Sequence, residues 1–64
     1  MGFSENLREE RLKKRLTQKQ MAEMLGISQS AYSKYETGVH EPNITQLLSI
    51  LKILDVKPDR LLKE

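Results

Sequence analysis

The 64 residues predict an all-α fold, one domain over residues 1–64 built as a compact bundle of five short helices. Three observations carry that expectation. Apolar residues return at three- and four-residue spacing in successive stretches, such as Met21, Ala22 and Leu25, then Leu47, Leu48, Leu51 and Leu54, which is the helical period. Residues that start and stop helices punctuate these stretches: Thr17, Ser28 and Asn43 stand before them, and Gly26 and Gly38 after them, as caps and left-handed terminators should. No segment alternates apolar and polar residues at the period of two that a half-buried strand requires.

Taken in order, Ser4 is expected to cap a first helix whose apolar contacts are Phe3, Leu7, Leu12 and Leu16 and which ends near Lys14. Arg15 then stands where glycine or asparagine would be comfortable, so the turn is expected either to be strained or to take a different shape. The run Arg11, Lys13, Lys14, Arg15 and Lys19 contains no acid, which suits the negative end of a helix dipole. Thr17 and Gln20 have the spacing of a capping box. Gly26 stops that second helix, Ile27 turns into the core and Ser28 caps a third. Ala22 is small enough to let two helices cross closely.

The third helix ends at Thr37-Gly38 and leads into the loop Val39-His40-Glu41-Pro42. Asn43 caps a fourth helix, with Gln46 placed to complete a second capping box. Ile44, Leu47, Leu48, Ile50, Leu51, Ile53 and Leu54 make the fourth helix apolar around more of its girth than one core face needs. Pro58 opens a last short helix at its favoured first position, and Leu61 and Leu62 are expected to return to the core.

Composition excludes several functions. There is no cysteine, hence no disulfide framework and no thiolate metal site to reinforce so small a core. His40 is the only histidine, and Glu9 and Glu10, being adjacent on a helix, point in different directions. No catalytic constellation, metal or cofactor is expected. The longest apolar runs, Leu47-Leu48 and Ile53-Leu54, fall far short of the roughly 18 residues of a membrane span, and the polar start is unlike a signal peptide. A cytoplasmic protein with no membrane partner is expected. The net charge of +2 favours a polyanionic partner only weakly.

The third helix says more. On a wheel of about 100° per residue, Ala31, Tyr32 and Tyr35 gather on a core-facing side, while Gln29, Ser30, Ser33 and Lys34 gather on the other. The polar side has no structural task, and its residues are those that read base edges. Glutamine can pair with adenine, lysine can reach guanine acceptors, and serine is permissive. Double-stranded DNA is therefore the expected partner.

Five segments in register, Leu7-Arg-Glu-Glu-Arg11, Thr17-Gln18-Lys-Gln-Met-Ala22, Leu25-Gly-Ile-Ser28, Tyr32-Ser-Lys-Tyr-Glu-Thr-Gly38 and Pro42, resemble the helix-turn-helix domain of phage Cro and cI repressors, the Xre family. The resemblance covers about Phe3 to Leu62 and implies a bundle of the lambda-repressor type, with the helix-turn-helix at about residues 17–36. It implies a transcription regulator, a repressor that binds a two-fold symmetric operator as a homodimer. By position, Gln29, Ser30, Ser33 and Lys34 match base-facing residues, while Gln18, Lys19, Thr17, Ser28, Thr37 and Asn43 fall where the DNA backbone is met. Arg11 and Glu36 match a structural salt bridge. Leu48, Ile50, Ile53 and Leu62 are expected to offer a dimer surface, or a docking site for a protein partner such as an antirepressor or toxin. Two departures stand out. The loop carries Glu41 where relatives often carry a cation, and Lys57 occupies a capping position where serine or threonine is usual.

Overall fold

The computed structural model describes residues 2–63, which form five helices: α1 (Phe3–Lys13), α2 (Gln18–Leu25), α3 (Gln29–Thr37), α4 (Ile44–Leu54) and α5 (Pro58–Leu62). Among the described residues there is no strand, and no helix is long and apolar enough to cross a membrane.

Caps set most of the boundaries. Thr17 Oγ1 accepts the Gln20 amide at 3.0 Å while the Thr17 amide donates to Gln20 Oε1 at 2.8 Å, closing the expected capping box. Ser28 Oγ accepts the Ala31 amide at 3.0 Å. Asn43 Oδ1 accepts the Gln46 amide at 2.8 Å, but Gln46 does not reach back, so this cap is half a box. The first helix starts earlier than expected. Gly2, in extended conformation, is its N-cap, and the Gly2 amide donates to Glu5 Oε1 at 3.2 Å. Ser4 therefore lies inside α1 and does not cap it; its side chain sits beside Gly38. The acid three residues after Gly2 decided this start.

Three helices end in the same way. Amides of Leu16, Ile27 and Val56 donate to the carbonyls of Arg11, Ala22 and Leu51, each five residues back, and the residue before each amide is left-handed: Arg15 (φ 58°), Gly26 (φ 73°) and Asp55 (φ 56°). This closure satisfies carbonyls that the helix end would otherwise leave open. Glycine enters it freely, whereas a side chain with a Cβ costs roughly 1–2 kcal/mol there. Of the two outcomes expected at Arg15, strain is the one present. α5 lacks a side-chain cap, because Lys57 can accept no hydrogen bond.

The core is Leu7, Met21, Ala22, Tyr32, Ile50, Leu51, Leu54 and Leu61, with Phe3, Leu16, Leu25, Ile27, Tyr35, Leu47, Ile53 and Val56 packed around it. α1 lies against α3 and α5, while α2 lies against α3 and α4. Ala22, 2 % exposed, permits the close approach of α2 to its neighbours. Helical angle sorts the remaining apolar residues. Leu12 is 48 % exposed because it follows Leu7 by five residues and so sits about 140° round the helix. Leu62 is 54 % exposed, about 100° from buried Leu61, and does not return to the core. Ile50 corrects a further expectation. It is 0 % exposed, lying on the same stripe as Leu47, Leu51 and Leu54, and cannot form part of a dimer surface. Leu48 at 60 % and Ile44 at 74 % are the exposed apolar residues of α4.

Candidate nucleic-acid interface

Two anchored tyrosines orient α3. Tyr32 is buried, and Tyr35, half-buried, meets it edge-on with ring centroids 6.1 Å apart. Their fixed positions turn Gln29, Ser30 and Lys34 outward, all exposed, with Ser33 at the margin. The expected reading face is thus assembled on one side of one rigid helix. Two of its hydroxyls are not free rotors. Ser33 Oγ donates to the Ser30 carbonyl at 3.1 Å, and Thr37 Oγ1 donates to the Lys34 carbonyl at 3.3 Å. Each then offers outward only lone pairs and carbon.

The three cap residues behave oppositely. Thr17, Ser28 and Asn43 each use an acceptor oxygen for the helix they cap. That leaves the hydroxyl protons of Thr17 and Ser28 and the amide protons of Asn43 without a partner among the described residues. Each residue stands at the positive end of a helix dipole and holds a spare donor. This is a good arrangement for phosphate oxygens. Exposed Lys19 adds a cation on the first turn of α2.

Beneath the face lies a charged network. Glu36 Oε2 accepts Arg11 Nε at 2.6 Å and the Tyr32 hydroxyl at 2.5 Å; its Oε1 accepts Arg11 Nη2 and Gln18 Nε2, both at 3.1 Å. Arg11 Nη1 also donates to the Leu16 carbonyl at 2.7 Å. One carboxylate therefore joins α1, the first residue of α2 and, one turn back along α3, Tyr32. Burial alone would push the Glu36 carboxyl up, but the hydrogen bonds from Arg11, Tyr32 and Gln18 outweigh it and hold it below its ordinary value. Burial and the same hydrogen bond push the Tyr32 phenol well up. The hydrogen bond to Glu36 raises Arg11 against the opposing effect of burial.

The expected pair Arg11–Glu36 is thus present and buried, with side-chain exposures of 9 % and 2 %. Gln18, expected at the DNA backbone, spends one amide proton on Glu36 and keeps the other. Sequence reasoning did not find Tyr32 or Gln18 in this network, although Tyr32 and Glu36 stand four residues apart, one helical turn. It also missed Asn6, buried, whose Nδ2 donates to the carbonyls of Leu61 and Lys63 at 3.0 and 2.7 Å. Asn6 and Glu10 occupy the core stripe of α1 beside Leu7 and Arg11, so a polar residue at apolar spacing was the available signal. Of the proposed dimer residues, Leu48 and Leu62 are exposed and Ile53 is half-buried.

Comparison with known proteins agrees with this geometry. A family model described as helix-turn-helix matches residues 7–61. The chain is 52 % identical over 61 residues to the HTH-type transcriptional regulator YqaE of Bacillus subtilis (strain 168), covering 95 % of this chain and 53 % of that protein. It is 45 % identical over 62 residues to the HTH-type transcriptional activator BcrR of Enterococcus faecalis, covering 97 % of this chain and 30 % of that one. The chain thus spans about half the length of the first relative and under a third of the second. Among solved structures, the P22 c2 repressor protein in complex with synthetic operator 9T superimposes with a TM-score of 0.89 at 36 % identity, covering 98 % of this chain and 96 % of that one. In sequence, fold and the disposition of its two central helices, this chain belongs to the helix-turn-helix family of Cro/C1 type.

Proposed function

We propose that this chain is the DNA-reading domain of a transcription regulator, a repressor that binds a two-fold symmetric operator as a homodimer with α3 in the major groove. The observation that carries the reading is the face of exposed Gln29, Ser30 and Lys34, with Ser33 at its margin, on a helix whose other side is locked by Tyr32 and Glu36. Specific base contacts need side chains held in one place, and that face has no packing role. The spare donors at Thr17, Ser28 and Asn43, with Gln18 and Lys19, supply the backbone contacts that set register without reading sequence, whereas the Thr37 hydroxyl proton is spent on the Lys34 carbonyl. The similar P22 c2 repressor was crystallised in complex with a synthetic operator, which supports duplex DNA as the partner. The relatives are described as a regulator, an activator and a repressor, which are not enzymes.

Homodimerisation is favoured by the apolar surface of Leu48, Leu62 and the margin of Ile53. Two copies would set their third helices in successive major grooves about 34 Å apart. Repression then follows from occupancy of the operator alone.

Selection of bound duplexes from a random library tests the proposal. An enriched two-fold symmetric site is expected; no enrichment by folded protein would overturn it. Against the selected site, Gln29→Ala should relax discrimination at one base pair by about 1–3 kcal/mol. An equal loss on every sequence would make Gln29 a backbone contact instead.

A further inference from the structure

The basic run at the corner between α1 and α2 divides once its partners are assigned. Arg11 is held by Glu36 and Lys13 by Glu10, while no ion pair among the described residues engages Lys14, Arg15 or Lys19. Lys14 lines a cleft with Glu10, Asp55, Lys57, Asp59 and Arg60, none of them from α2. Arg15 differs from both of the other free cations in its backbone, which is left-handed at φ 58°, a region that arginine seldom enters.

The corner around Arg15 is fixed from several sides. The Arg15 amide donates to the Leu12 carbonyl at 3.0 Å and the Leu16 amide to the Arg11 carbonyl at 3.2 Å. The Arg11 guanidinium, itself anchored on Glu36, grips the Leu16 carbonyl at 2.7 Å. Arg15 is therefore an exposed, unpaired cation on a rigid post, two residues before Thr17 and three before Gln18. Glycine would make this turn without strain, as it does at Gly26, but would remove the cation. Strain kept at an over-determined position points to use of the side chain.

We infer that Arg15 is a phosphate contact, extending the backbone-binding surface at the start of α2 outward by one phosphodiester of duplex DNA. The inference rests on the reading of this chain as a DNA-binding domain. A guanidinium can engage phosphate oxygens in pairs. The contact lies off the α3 reading face, so it adds affinity without base preference.

Wild type, Arg15→Gly and Arg15→Gln would be titrated with the selected operator and with an unrelated duplex, from about 50 to 200 mM salt. Both variants are expected to bind both duplexes about 3- to 10-fold more weakly at the lowest salt. The log–log salt slope should shrink by about 0.9 per bound chain, one phosphate's share. Arg15→Gly should also melt at a higher temperature than wild type, so its weaker binding cannot be blamed on unfolding. Unchanged affinity and slope in both variants would overturn the inference. So would a loss confined to the operator, which would make Arg15 a base reader, or a loss in Arg15→Gly alone, which would make it structural. Wild-type protein that binds neither duplex would refute the parent reading itself, an outcome distinct from all of these.

Discussion

Glu36 shows how one residue can serve both stability and the placement of a helix. Its carboxylate accepts four hydrogen bonds from three side chains, so although buried it is not short of partners. Removing Arg11 would leave that charge uncompensated, a loss of about 3–5 kcal/mol in a buried pair, against a total stability of roughly 0.05–0.15 kcal/mol per residue. The pH dependence can be signed. Glu36 titrates below its ordinary value in the folded chain, so the stabilisation is complete above the unfolded carboxyl value of about 4.3. It is lost as pH falls from there through the lower folded value. Tyr32→Phe removes one donor to the ionised carboxylate, and hydrogen bonds to charged groups are worth about 1.5–3 kcal/mol. The variant should be less stable than wild type by about that amount at neutral pH. The gap should narrow at acid pH, as pH falls below the ordinary carboxyl value and through the lower folded one, where Glu36 becomes protonated. Urea denaturation at both pH values measures it, and a gap that stays constant would show that Tyr32 does not act through the carboxylate.

Individual helices owe their limits to local chemistry, and the weakest is α5. It is five residues long and its N-cap position is held by Lys57, whose ammonium cannot cap it. Lys57→Ser should add about 0.5–1 kcal/mol, the usual worth of a cap. For so small a domain that corresponds to a rise of roughly 4–8 °C in Tm per kcal/mol, readable by thermal denaturation; no rise would mean that α5 is held by its contacts to α1, through Leu61, Asn6 and the Arg60–Glu10 pair, and not by its cap. Local signals of this kind were legible in the residues. Thr17, Ser28 and Asn43 marked three helix starts, and Gly26 and Gly38 two ends, because caps depend on a few neighbours only. The misplaced start at Ser4 had the same origin, since Gly2 with Glu5 competes for the cap and a serine is the stronger signal in isolation. What the residues did not display were contacts across the chain. Gln18 to Glu36 spans 18 positions and Asn6 to Leu61 spans 55, and nothing in the local pattern announces either. The polar outer face of α3 was legible because it is a one-helix property, whereas its foundation joins three helices.

At the scale of the whole molecule, the apolar excess of α4 separates into two parts that spacing alone could not divide. Ile50 belongs to the core and Leu48 to the surface, at 0 % and 60 % exposure. The surface portion continues through Ile44, one turn before Leu48, while Leu62 borders a shallow groove with Phe3, Pro42 and Leu47. Substitutions at the two positions should therefore have opposite signatures. Ile50→Ala removes buried methylenes and leaves a cavity, costing about 2–5 kcal/mol, so it should lower the urea midpoint sharply. Leu48→Glu places a charge where water already reaches, and its stability change should stay within about 0.5 kcal/mol. If two copies meet through this surface, each tethers the other at high effective concentration on the operator. Wild type should then bind a complete two-fold site much more tightly than a half-site, and Leu48→Glu should erase that preference while leaving half-site affinity intact. Gel-shift titration of both duplexes with both proteins gives the comparison. A Leu48→Glu protein that still prefers the complete site would place the subunit contact elsewhere on the bundle. Equal weakening on half-site and complete site would instead assign Leu48 a role in holding the reading helix itself.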